Sequence, residues 1–130
     1  MENFDIKGDE TTPTVKFDAT TGLLKMSGVA IPEDVRTFFA PIRKWVNNYL
    51  DSPQAATELI LHFDYLNTAA SKMVFELCDI ISGLHGREDC NVKITWKYFR
   101  GDNEMRELGE EVLEQFYCFK EILAVDEHPF

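Results

Sequence analysis

Three cysteines, three histidines, a set of clustered glutamates and one threonine beside a strand–helix junction are the residues here whose types could do chemistry. Cys78, Cys90 and Cys118 are odd in number, widely spaced and without a C-x-x-C pair, which fits reduced thiols rather than a disulfide framework. Cys78 falls in an apolar helical pattern and reads as a small core residue. None of His62, His85 and His128 has a second His, Cys or carboxylate at helix-face spacing, so no metal site is predicted. Glu104, Glu107, Glu110, Glu111 and Glu114 include i,i+3 and i,i+4 pairs that could imitate a di-metal carboxylate helix. No Glu-x-x-His accompanies them, and a solvated acidic face is the expected reading. The chain has no phosphate-binding glycine loop, dinucleotide fingerprint, nucleophile elbow or zinc-protease motif. No catalytic set and no cofactor are therefore expected.

The threonine is Thr68, within Asp64-Tyr65-Leu66-Asn67-Thr68-Ala69-Ala70-Ser71-Lys72. This segment joins an apolar strand pattern to a helix, and sheet proteins usually build sites at the carboxyl ends of strands. Thr68 is read as a helix cap, since Asn and Thr both suit that position. Its hydroxyl is also a candidate for phosphorylation. A phosphate there would meet free amides and the positive end of a helix, and Lys72 lies one turn on. Tyr65, Leu66, Asn67, Thr68, Ser71 and Lys72 form the candidate switch surface. The aromatic residues around it, Phe63, Tyr65 and Phe75, have spacings that favour inward packing.

Several elements must position this segment. Residues 1–12 are polar, and a partly loose segment is expected. Thr14–Phe17 and Leu23–Val29 alternate around Asp18-Ala-Thr-Thr-Gly22 and predict a hairpin. Pro32-Glu33-Asp34 opens a helix whose apolar stripe runs Val35, Phe38, Phe39, Ile42, Trp45, Val46, Tyr49 and Leu50, with Pro41 as a possible kink. Glu58–Leu66 suits a strand covered on both faces. A helix follows from Asn67-Thr68 to about Leu84, then an alternating strand over Asn91–Phe99. A third helix spans about Asn103–Tyr117, capped by Asp102 or Asn103, and Phe119–Val125 is a final edge strand. The order β-β-α-β-α-β-α-β predicts an α/β or α+β class, with a mixed central sheet of four to five strands and about three helices. The segment 58–99 should form a right-handed parallel crossover.

A length of 130 residues predicts one domain, residues 1–130. An apolar content of 45% supplies a core and excludes global disorder. No apolar run approaches the roughly 20 residues that span a bilayer, and the N-terminus has no signal-peptide pattern; a cytoplasmic location is expected. A net charge of −10 argues against nucleic acid and anionic membrane as partners. Residues 101–130 hold nine acidic and two basic residues, so −7 of that charge lies there. The half containing Thr68 is nearly neutral, and a phosphate would change it markedly.

Taken together, Tyr65-Leu-Asn-Thr68 and the small residues after it resemble the signature of the SiaC-type regulatory phosphoproteins of bacteria. Their fold is similar to that of STAS-domain anti-sigma-factor antagonists. Thr12-Pro13, Gly22-Leu-Leu-Lys-Met-Ser-Gly28, Pro32-Glu33-Asp34, Phe38-Phe39 with Trp45, and Trp96-Lys-Tyr98 followed by Asp102-x-x-Met105-x-x-x-Gly109-Glu110 carry the resemblance along nearly the whole chain. It implies no enzyme activity. A dedicated kinase would phosphorylate Thr68 and a PP2C-type phosphatase would reverse this. The unphosphorylated form would bind and activate a diguanylate cyclase, raising cyclic di-GMP and favouring biofilm growth. Ala69 and Ala70 stand where relatives often carry Ser, leaving Thr68 as the one expected phosphosite. Two alternative readings stay open: a partner-switching regulator of an anti-sigma factor or sensor kinase, and a small-ligand-binding domain or minor enzyme using the same strand–helix turn.

Overall fold

The computed structural model describes residues 1–126; His128 lies outside the described residues. One six-stranded mixed sheet organises the chain, with strands in sequence order across it. The strands are β1 (Phe4–Ile6), β2 (Thr14–Asp18), β3 (Leu23–Ala30), β4 (Ala56–Leu66), β5 (Asn91–Phe99) and β6 (Phe119–Val125). The first three pair antiparallel and β3 to β6 pair parallel. The helices are α1 (Val35–Tyr49), α2 (Thr68–Ser82) and α3 (Asn103–Leu113). Each joins two neighbouring parallel strands. With the strands in sequence order, right-handed connections place all three helices on one face. Leu24 and Met26, Leu59 and Phe63, and Ile94 and Trp96 point into the core from alternate positions of the central strands. The α/β class and the parallel pairing of β4 with β5 are as the sequence predicts.

The strand count is six rather than four to five, because β1 lies in the N-terminal segment for which no element was expected. Three residues are too few to show a period, but Phe4 pairs with Phe17 and Ile6 with Val15, adding an edge strand to the hairpin. Two long-range bonds secure it. The Trp45 indole N–H donates to the Glu2 carbonyl at 2.8 Å, and Asn3 Oδ1 accepts from the Ala19 amide at 2.9 Å.

Helix α1 continues through Pro41. The missing amide bond falls on the exposed side, at Thr37 and Pro41, where water can satisfy the carbonyl. Helix α3 ends at Leu113, four residues before the predicted limit. Its last carbonyls are taken by tightening turns, Gln115 N–H to Val112 and Phe116 N–H to Leu113. This turn brings Phe116 against Phe75 of α2, with ring centroids 5.0 Å apart.

Candidate functional site

The candidate site grows from the end of β4. Strands β3 and β4 run in register to Gly28 opposite Phe63, and the next pair is Val29 with Tyr65. Asp64 is therefore an extra residue on β4, a bulge that shifts the side-chain alternation by one. Gly28 has φ of 108°, a conformation that L side chains rarely adopt. In consequence Leu66 turns into the core while Tyr65, predicted to pack inward, is 55% exposed. Phe75 is also partly exposed, whereas Phe63 is buried as predicted.

The helix cap is Asn67, not Thr68. Asn67 has extended backbone angles, and its side-chain oxygen accepts from the Ala70 amide at 2.8 Å. Thr68 is the first helical residue, and its side chain is exposed. Both residue types cap well, so sequence could not choose between them. Ser71 is half-buried and its hydroxyl donates to the Asn67 carbonyl at 3.0 Å, closing the first turn. Lys72 is exposed one turn beyond Thr68. Of the six candidate residues, Tyr65, Thr68 and Lys72 make the outer surface. Asn67 and Ser71 hold its shape, and Leu66 anchors it in the core.

The first turn of α2 contains no acidic residue, and among the described residues the Asn67 side chain engages only Ala70. The amides of Thr68 and Ala69 lie at the positive end of the helix, where an anion is favoured.

Thr68 and Lys72 line a groove of about 1020 Å³ between α1 and α2. Its α1 wall includes Arg36, Ala40, Arg43 and Lys44, residues the sequence reading left aside. Their spacing marks one helical face flanking the apolar stripe. Only the topology shows that this face stands beside Thr68. Arg43 forms an ion pair with Glu76 across the groove.

The remaining chemical candidates have structural roles. Burial pushes the Cys78 thiol well above its ordinary pKa, and raises that of Cys118 as well. His85 Nδ1 accepts from the Val92 amide at 3.0 Å, and the buried His62 ring lies 4.7 Å from that of Phe99. The five glutamates of and just after α3 are exposed, as the acidic-face reading predicts. Trp96-x-x-…-Gly109 proves to be a packing motif. Asp102 caps α3 by accepting from the Met105 amide, and the Met105 carbonyl accepts from the buried Trp96 indole at 3.0 Å. Gly109 lies flat on that indole, where any Cβ would collide.

The fold and turn define a class: small α/β domains with an exposed hydroxyl at a strand–helix junction. The sequence model of the SiaC family of regulatory phosphoproteins matches residues 6–123, and the chain belongs to that family. An uncharacterised protein of Pseudomonas aeruginosa strain UCBPP-PA14 is 33% identical over 116 residues, covering 88% of this chain and 90% of its relative. SiaC of Pseudomonas aeruginosa superposes with a TM-score of 0.86 at 30% identity, covering 96% of this chain and all of that one. A chain in the crystal structure of the diguanylate cyclase SiaD in complex with its activator SiaC, from the same organism, matches equally well. Its TM-score is 0.86 at 30% identity, with 94% of this chain and 99% of that one covered.

Proposed function

We propose that this chain is a non-enzymatic phospho-switch that binds and activates a diguanylate cyclase when unphosphorylated, with Thr68 as its switch residue. A dedicated kinase adds the phosphate and a PP2C-type phosphatase removes it, in the cytoplasm. One observation carries the reading: Asn67 takes over the capping, which leaves the Thr68 hydroxyl exposed on the first turn of α2. A phosphate on that oxygen would add about two negative charges beside Tyr65 and Lys72 without disturbing the cap. The cyclase target is supported by the match to the SiaC that activates SiaD, and the regulatory role by the family.

The test uses Thr68→Ala, Thr68→Asp and the wild type with kinase, radiolabelled ATP and the co-purifying cyclase. Thr68→Ala should lose phosphate incorporation yet still stimulate cyclic di-GMP synthesis, and Thr68→Asp should stimulate it at least tenfold less. Undiminished labelling of Thr68→Ala overturns the assignment. Equal recovery of the same partners by both variants removes phosphorylation from the control of docking. Recovery of an anti-sigma factor or sensor kinase instead of a cyclase would move the chain to the second class.

A further inference from the structure

The two edges of the sheet are unequal. At one edge β1 has three residues, short enough to blunt it. At the other, β6 runs seven residues, Phe119-Lys-Glu-Ile-Leu-Ala-Val125, without a proline. It pairs with β5 without a break over its whole length. Among the described residues no strand lies beyond it. An unbroken edge of this kind is a template for another strand.

One hydrogen bond fixes which main-chain groups are on offer. The Val125 carbonyl accepts from the Arg100 amide at 2.9 Å, one residue past its register partner Phe99. In a parallel ladder this makes the odd-numbered residues of β6 the ones bonded to β5. Lys120, Ile122 and Ala124 therefore aim their amides and carbonyls away from the sheet. Their side chains lie on the helix face, where Ile122 packs against the core. Phe119 and Leu123 lie on the other face, 59% and 36% exposed.

We propose that β6 pairs antiparallel with β6 of a second copy, about a two-fold axis through Ile122. Ile122 then meets its own copy, Lys120 meets Ala124, Glu121 meets Leu123 and Phe119 meets Val125. Every outward group of the three even-numbered residues gains a partner, because such pairs exchange both of their hydrogen bonds. An axis at Glu121 would set like charges face to face. An axis at Leu123 would carry Lys120 past the end of the facing strand. Either leaves one fewer bonded pair.

Charge and space both admit the second copy. Glu110, Glu114, Glu121 and Lys120 line the cleft between α3 and β6. Arg106 engages Glu110 at 2.8 Å and Lys93 engages Glu121 at 3.5 Å. The seam thus holds three acids and three bases, a neutral strip in a chain of −10. Helix α3 lies over β5, where Gly109 meets the Trp96 indole. Three strand spacings, about 14 Å, separate β5 of the two copies. Packed helices need only about 8–10 Å, so the two α3 helices clear each other. The β4–α2 turns stay uncovered and open at opposite ends of the joint sheet, so the dimer presents two of them. None of this depends on the role given to Thr68.

The experiment combines sedimentation equilibrium with residue-resolved amide exchange on the full chain, at about 20 μM and about 1 mM, in about 0.3 M salt to screen the net repulsion. The mass should rise from 15.0 kDa toward twice that value. Protection of the Lys120, Ile122 and Ala124 amides should rise at least tenfold with it, while Phe119, Glu121 and Leu123, bonded to β5, keep theirs. Leu123→Glu, which faces Glu121 of the second copy, should weaken the dimer at least tenfold, and Leu123→Lys should not weaken it. Ala124→Pro removes one outward amide and leaves the ladder to β5 whole, so it should hold the chain as a monomer. If that variant fails to fold, the Leu123 pair decides. A constant 15.0 kDa at both concentrations overturns the proposal. So does a doubled mass without the alternating protection, which places the interface elsewhere. Equal behaviour of Leu123→Glu and Leu123→Lys overturns the register.

Discussion

The β4–α2 and β5–α3 junctions occupy equivalent places in the fold, and they are built for opposite ends. Each leads from a parallel strand into a helix through an Asx cap that accepts from the third helical amide, Ala70 in one and Met105 in the other. In the β5–α3 junction that local order is tied to the core. Trp96 bonds to the Met105 carbonyl, Gly109 lies on its indole, and Glu104 occupies the first turn. A phosphate added there would meet a like charge. In the β4–α2 junction the bulge turns Tyr65 outward, the first turn holds no acid, and an exposed Thr68 stands beside Lys72. One scaffold element serves as a clamp at one position and a readable surface at the next. The difference lies in a few side chains and one extra strand residue.

Substitutions that separate stability from recognition test this contrast. Trp96→Ala should have the largest effect, a loss of about 3–5 kcal/mol, chiefly from the cavity left by the indole. Gly109→Ala should cost about 1–3 kcal/mol, because the indole must move aside for the added methyl. Both are read from denaturant midpoints. Removing either cap, by Asn67→Ala or Asp102→Ala, should cost about 1 kcal/mol, a similar amount at both junctions. A much larger loss for one of them would break the equivalence. Thr68→Ala should change stability by less than about 0.5 kcal/mol while abolishing phosphate incorporation.

The smallest effect concerns acid. Asp34 caps α1, and hydrogen bonds from the Thr37 amide and hydroxyl hold its carboxyl below the ordinary range. A lowered folded-state pKa stabilises above the unfolded value, about 4, and that contribution is lost as pH falls through the folded value. Protection of the Thr37 amide, relative to its intrinsic exchange rate at the same pH, should therefore fall in this window. The neutral Asn67 cap should protect Ala70 to the same extent throughout, a difference measurable by hydrogen exchange.

Most of the framework was legible because it rests on local periodicity. The Phe39–Ile42–Trp45–Val46 stripe, the β4 run and the alternation of β5 each give an element and its inner face without tertiary knowledge. What sequence could not show depends on a second segment. Strand β1 exists because Phe4 and Ile6 find β2. The bulge exists because Gly28 of a neighbouring strand allows a shift opposite Asp64, so the outward turn of Tyr65 was hidden. Thr68 stood out from its place at a strand end, whereas Arg36 and Lys44 acquired meaning only when α1 was seen beside α2. The clamp was legible as a signature, Asp102-x-x-Met105-x-x-x-Gly109, before its packing role was known.

The bulge at Asp64 also bears on how such a regulator can diverge. It uncouples Tyr65 from the register that commits Leu66 to the interior, so the residue next to the proposed switch is 55% exposed. Exposed positions of this kind generally tolerate exchange within about 0.5 kcal/mol. If the target is met at this rim, as proposed, a lineage can rewrite its choice one side chain at a time. Each intermediate inherits an intact core and an unchanged Thr68, and new specificity need not pass through a misfolded ancestor.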